Sequence, residues 1–152
     1  RHSFPTRRSS DLYKALVDET QIASTVWAFA DTREHTSLLT LHATAASPDI
    51  TTDTLAEHIF NQVEKLQKDG LLAHEMEKTR NSVATSHAAA LQTSSGVADA
   101  LTNYVLLWDN PHEINSSVDK YFSVSNQDVM DFSHNYMNPS QAIRTDVVPM
   151  EE

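Results

Sequence analysis

Thr25-Val26-Trp27-Ala28-Phe29-Ala30 and Ser37-Leu38-Leu39-Thr40-Leu41-His42-Ala43 decide the fold class of this 152-residue chain. The first run is rich in β-branched and aromatic residues and reads as a strand. In the second, Leu39, Leu41 and Ala43 share one face and Leu38, Thr40 and His42 the other, the two-residue period of a pleated strand. The polar residues 31–35 between them make a link short enough to predict an antiparallel hairpin.

Outside the hairpin the pattern is helical. Leu12, Ala15 and Leu16 predict a short helix up to Asp18. After Ser47-Pro48-Asp49, Thr51 or Thr52 can cap a helix whose apolar stripe is Leu55, Ile59, Val63 and Leu66. Asp53 suits its N-terminal end, Lys65 and Lys68 its last turn, and Gly70 its stop. Further helices are predicted from Ala73 to about Gln92, from Ser95 to Trp108 and from His112 to Tyr121. Ser125 and Asp128 make a near capping box for a helix over Asn126–Tyr136. Ala142 to Val148 reads as a last short strand, ended by Pro149. The expected class is α+β, with helices packed on one face of a small antiparallel sheet.

Composition excludes several functions. The formal charge is −10, and no basic stripe is present, so neither nucleic acid nor an anionic membrane is an expected partner. No apolar run approaches the roughly 20 residues needed to span a bilayer. With no cysteine there is no disulfide, thiolate zinc site or cysteine nucleophile, and two glycines exclude a glycine-rich phosphate loop. Residues 2–12, His-Ser-Phe-Pro-Thr-Arg-Arg-Ser-Ser-Asp-Leu, are what a common sequencing-adapter DNA encodes in frame, so residues 1–12 are expected to be an artefact. Without them the charge moves to −12, because Arg1, Arg7, Arg8 and Asp11 leave.

The eight histidines invite a search for metal ligands, but His35, His42, His58, His74, His87, His112 and His134 never fall three or four residues apart. His74-Glu75-Met76-Glu77-Lys78 starts like a zinc-binding H-E-x-x-H and ends in lysine. Ser86-His87 and Ser133-His134 are helical neighbours pointing about 100° apart, the wrong geometry for a Ser–His dyad. Glu75 with Glu77, and Glu151 with Glu152, read as solvated acids. Trp27, Phe29, Tyr104, Trp108 and Phe122 read as core. The expected site inventory is therefore none: no catalytic, cofactor-binding or metal residue.

Three segments occur in order near the end: Asp109-Asn110-Pro111-His112-Glu113-Ile114-Asn115, Tyr121 through Val129, and Tyr136-Met137-Asn138-Pro139 running out to Val147-Val148-Pro149. Together they resemble the closing pattern of the non-catalytic domain of insulinase/pitrilysin-type zinc metallopeptidases. Gly70 to Asn81 is similar to that family's Gly-x-Thr-x-x-Glu-Leu-x-x-Ala-Lys segment, with Leu72 where a capping Thr is expected. Leu16 to Val26 looks like its leucine-rich approach to the first strand, so the resemblance covers about residues 12–149.

The resemblance implies a clamshell peptidase. Its first half binds zinc through H-x-x-E-H and a distal Glu, and its second half closes the chamber and contacts peptide. Residues 13–150 are then expected to be an N-terminally truncated, metallopeptidase-like half-domain from the second half. Zinc would lie in the absent N-terminal half. Expected partners are the other half of the clamshell and a peptide substrate, and a periplasmic location is implied by resemblance only. The positions matching the family's substrate-facing Arg and Tyr are Val17 and Ser24, neither able to stabilise an oxyanion. An alternative is a domain of a catalytically inactive partner or core subunit. A third reading, an unrelated helical interaction domain, gains if the hairpin does not pair with Ala142–Val148. Truncation predicts an exposed apolar patch around the hairpin and the Leu55–Leu66 helix.

Overall fold

A computed structural model describes residues 11–31 and 35–149. Most of the expected artefact, part of the hairpin turn, and Glu151 with Glu152 lie outside the described residues. The chain is α+β. It divides into two compact units, one made of the residues up to Asp69 and from Met130 onward, the other of Gly70–Val129.

The first unit is built on the hairpin. Strands β1 (Ala23–Asp31) and β2 (Leu38–Ala45) pair antiparallel, with Val26 opposite Ala43, Trp27 opposite His42 and Phe29 opposite Thr40. The pairing is irregular between Ala23 and Thr25, where Ser24 is one residue too many for the partner strand. This β-bulge resets the alternation. Ala23 and Val26, three residues apart, are therefore both buried, whereas strict alternation would put them on opposite faces. The Ser24 hydroxyl closes the bulge by donating to Thr44 O (3.3 Å) and Ala45 O (3.2 Å).

Helix α1 (Asp11–Tyr13) runs into a π-helical turn, Lys14–Glu19, in place of the simple helix predicted. Thr20 explains the widening. Its N–H and its hydroxyl both donate to Ala15 O, five residues back, at 3.1 and 2.7 Å. Gln21, at φ 53°, then turns the chain into β1. Helix α2 (Thr52–Asp69) covers the same face, with Thr51 rather than Thr52 as its cap (Thr54 N–H to Thr51 Oγ1, 3.1 Å) and Gly70 at φ 67° as its stop. The core is Ala15, Leu16, Ala23, Val26 and Leu55, with Ile59, Ala43 and Ala45 packed around it. The predicted α2 stripe is thus the buried one. The exposed patch expected on this helix is absent among the described residues, because Leu55 and Val63 are buried. It is confined to the hairpin's turn end, where Leu38 is 62% exposed.

The second unit holds α3 (Ala73–Ala90), α4 (Ser94–Trp108), a 3-10 turn (Pro111–Asn115), α5 (Ser117–Ser123) and the first turn of α6 (Asn126–Tyr136). The helix expected over His112–Tyr121 is broken at Ser116, whose backbone (φ −120°, ψ −9°) leaves the helical region. The break lets the Ser117 hydroxyl accept from Tyr104 Oη at 2.7 Å. Asp109, at φ 50°, ends α4, with Asn110 N–H reaching back six residues to Tyr104 O. The Ser125–Asp128 capping box forms in full. The Ser125 hydroxyl, followed by its N–H, holds the Asp128 carboxyl below its ordinary value.

Two expectations fail. Residues 142–148 form no strand, and among the described residues the sheet is the hairpin alone. Side chains hold the segment elsewhere. Arg144 donates through Nε to Asp146 Oδ1 (2.8 Å) and through Nη2 to Thr52 Oγ1 (3.0 Å), and Nη2 forms ion pairs with Asp146 Oδ2 (2.8 Å) and with Asp53 Oδ1 (2.7 Å) at the start of α2. Leu72, at the position where a capping Thr is expected, is 63% exposed and offers no side-chain acceptor. Only the Glu75 half of its box forms, with Leu72 N–H to Glu75 Oε2 at 2.8 Å.

Leu72→Thr supplies the missing acceptor at almost no loss of burial, and should raise unfolding free energy by about 1 kcal/mol in a urea titration. Gly96→Ala gains up to about 1 kcal/mol of helix propensity, but its Cβ would stand 1.8 Å from Ala90 O, so backbone must move. We expect net destabilisation by about 1–3 kcal/mol in the same titration. A depressed Asp128 stabilises the fold above its unfolded value, at about pH 4, and stops doing so as pH falls through the lower folded value. Ser125→Ala should therefore lower Tm at neutral pH and lessen its fall on acidification.

Candidate functional site

The hairpin's outward face collects the aromatic and polar side chains of the first unit. Trp27 stacks on His42 across the strands, with ring centroids 4.5 Å apart and planes 13° off parallel, and Phe29 leans on Trp27 at 5.3 Å. Thr25 and Thr44 join by hydroxyls at 3.2 Å, and the second of them also meets His42 Nε2 at 3.2 Å. Trp27 and Phe29 are half-buried rather than core. The bulge places Ser24 at one end of the hairpin. Val17 sits in the π-helical turn, partly buried against the Leu16–Val26 core. Neither the Val17 isopropyl group nor the Ser24 hydroxyl, which is bonded to carbonyls, offers a positive donor to a developing oxyanion.

The remaining candidates are dispersed. His87 Nε2 donates to Ile114 O (3.1 Å) and His134 Nε2 to Gln67 O (3.1 Å), so both serve helix packing rather than being simply solvated. Ser133 is fully buried and donates to Met130 O at 2.7 Å, which leaves its proton unavailable to His134. Glu75 caps α3. His74 and Glu77 are exposed. Among the described residues no three His, Asp or Glu side chains gather as metal ligands, so the donor set does not fit a zinc ion.

One feature of the second unit has no periodic signature. Leu71, Met76, Val83, Tyr121 and Val129 line an apolar cavity of about 120 Å³. Arg80 forms part of the wall. Its Nη2 donates to Val124 O, while its buried Nε has no partner among the described residues. The available sequence signal is an arginine in the alanine-rich α3, two positions past Lys78.

The fold has counterparts among known proteins. A family model described as Peptidase M16 inactive domain matches residues 5–83. None of the curated proteins matches the sequence. Among solved structures, one described as the inactive peptidase domain of a zinc protease from Bordetella parapertussis superposes with a TM-score of 0.81 at 20% identity. The match covers 98% of this chain and 78% of that one. A protease from Helicobacter pylori gives 0.76 at 22% identity, covering 88% of this chain and 32% of that one. The periplasmic protease PqqL from Escherichia coli gives 0.68 at 16%, covering 84% and 14%. The chain thus spans about a third of the Helicobacter protein's length. At these identities the structures share the fold. The family model covers over half of the chain, with the bulged hairpin and α2 inside the match, and the chain belongs to the Peptidase M16 inactive-domain family.

Proposed function

We propose that this chain is part of the non-catalytic half of a zinc metalloendopeptidase. In this reading it forms chamber wall and domain interface, and meets peptide along an edge of the hairpin. The observation that carries the reading is the pairing of an inactive-domain family with Val17 and Ser24 at the positions where catalytic relatives are expected to present Arg and Tyr. Among the described residues each strand of the two-stranded sheet keeps one unpaired edge, and an extended peptide can add there through main-chain hydrogen bonds. Zinc and its H-x-x-E-H ligands belong, in this reading, to the other half of the clamshell, and peptide hydrolysis to the assembled protein. The periplasm is the proposed compartment, supported by the likeness to a periplasmic protease.

The second reading, a catalytically inactive partner or core subunit, is favoured by the same two residues. The gene upstream separates them, because H-x-x-E-H encoded in the same frame supports the first reading and its absence the second.

By calorimetry the isolated chain should bind no zinc stoichiometrically at sub-micromolar affinity, and it should cleave no peptide. Either activity sinks the assignment to a non-catalytic half. Peptide contact has its own measurement. Amide shifts on adding an unstructured peptide should concentrate in Ala23–Asp31 or Leu38–Ala45, and shifts confined to other segments would refute hairpin docking.

A further inference from the structure

Of the asparagines in this chain, Asn115 alone opens an Asn-x-Ser/Thr triplet with no proline in the middle. The triplet is Asn115-Ser116-Ser117, the acceptor pattern for an N-linked glycan. Asn138-Pro139-Ser140 has the two ends of the pattern, but proline separates them, and the Asn138 carboxamide oxygen already accepts from the N–H of Ser140. Glu113, two residues before Asn115, adds the acidic side chain that bacterial oligosaccharyltransferases also require. Glu-x-Asn-x-Ser is a far more selective pattern than the triplet alone.

The fold leaves room for a sugar at this position. Asn115 closes the 3-10 turn Pro111–Asn115, on the connection between α4 and α5, and is exposed. Among the described residues its carboxamide makes no hydrogen bond, whereas those of Asn110, Asn126 and Asn138 each hold a backbone N–H. A sugar on Asn115 therefore displaces no hydrogen bond. The two other recognition groups are engaged. The Ser117 hydroxyl accepts from Tyr104 Oη at 2.7 Å, and the residue is 9% exposed. The Glu113 carboxylate is paired with Lys120, and its side chain is largely covered. A transferase that must grip both groups meets them only in the unfolded chain. Folding then buries the serine and leaves the sugar outside.

We propose that Asn115 is the acceptor of an N-linked oligosaccharide, attached before the chain folds. In the transfer the Asn115 amide nitrogen attacks the anomeric carbon of a polyprenyl-diphosphate-linked oligosaccharide. The carbon–nitrogen bond forms and the bond from the anomeric carbon to the diphosphate oxygen breaks. The polyprenyl diphosphate leaves with that electron pair, and the amide proton passes to a base of the transferase. In the cell the modification rests on the periplasmic reading, because bacterial transfer takes place on that side of the inner membrane.

The test co-expresses the full chain, behind an added export signal, with a bacterial oligosaccharyltransferase and its lipid-linked oligosaccharide. The added signal separates failure of the site from failure of the compartment assignment. Intact mass should rise by one glycan, and peptide mapping should place it on Asn115. Asn115→Gln, Ser117→Ala and Glu113→Gln should each abolish the increase, and Ser117→Thr, which keeps a hydroxyl, should retain it. Because transfer precedes folding, a variant that folds poorly still reports. The purified folded chain, given the same transferase and donor, should stay largely unmodified. No mass increase in the exported chain, a glycan on another asparagine, a glycan that survives Ser117→Ala or Glu113→Gln, or a folded chain modified as fully as the nascent one would each overturn the proposal.

Discussion

The bulge at Ser24 is the constraint on which the hairpin unit depends. Without the extra residue, Ala23 would turn outward whenever Val26 turned inward, and the approach from the π-helical turn would lose its place against the sheet. With it, Leu16, Ala23, Val26 and Leu55 close one small core between the leading helical turn, one sheet face and α2. The adaptation on the helical side is of the same kind. Thr20 donates twice to Ala15 O and widens a turn so that the chain enters β1 in the bulged register. Two local irregularities, each stabilised by a hydroxyl, bring this buried cluster together.

These devices explain which parts of the fold can be read from the residues. Hairpin pairing, the α2 stripe, the Gly70 stop and the Ser125–Asp128 cap each depend on side chains close to one another in sequence, and local pattern carries them. The π-helical turn and the bulge leave no periodic signature, because one residue added to a turn or strand keeps its composition. The break in the helix predicted over His112–Tyr121 accompanies a tertiary contact, the Tyr104–Ser117 hydroxyl bond between residues thirteen apart, which local pattern does not carry. The strand predicted over Ala142–Val148 fails in the same way. Its β-branched residues Ile143, Thr145 and Val147 have the propensity, but Arg144 docks the segment at the start of α2 instead of at the sheet.

Little of the candidate site is legible in the sequence. Histidine spacing says which helical pairs cannot form, but not that His42 stacks on Trp27 or that His87 and His134 donate to the carbonyls of Ile114 and Gln67. The positive features join residues far apart in sequence. The Trp27–His42 stack depends on a register that sequence leaves free within the hairpin, and the wall of the Arg80 cavity draws on three helices of the second unit.

That hollow is open on one side. A side chain enlarged at its wall, as in Val83→Ile, can grow into the opening without the overpacking that a closed core imposes. The Gly70–Val129 unit thus has room for larger side chains around Met76, Val83 and Tyr121. The hairpin unit, whose core residues Leu16 and Val26 are almost completely enclosed, has none there.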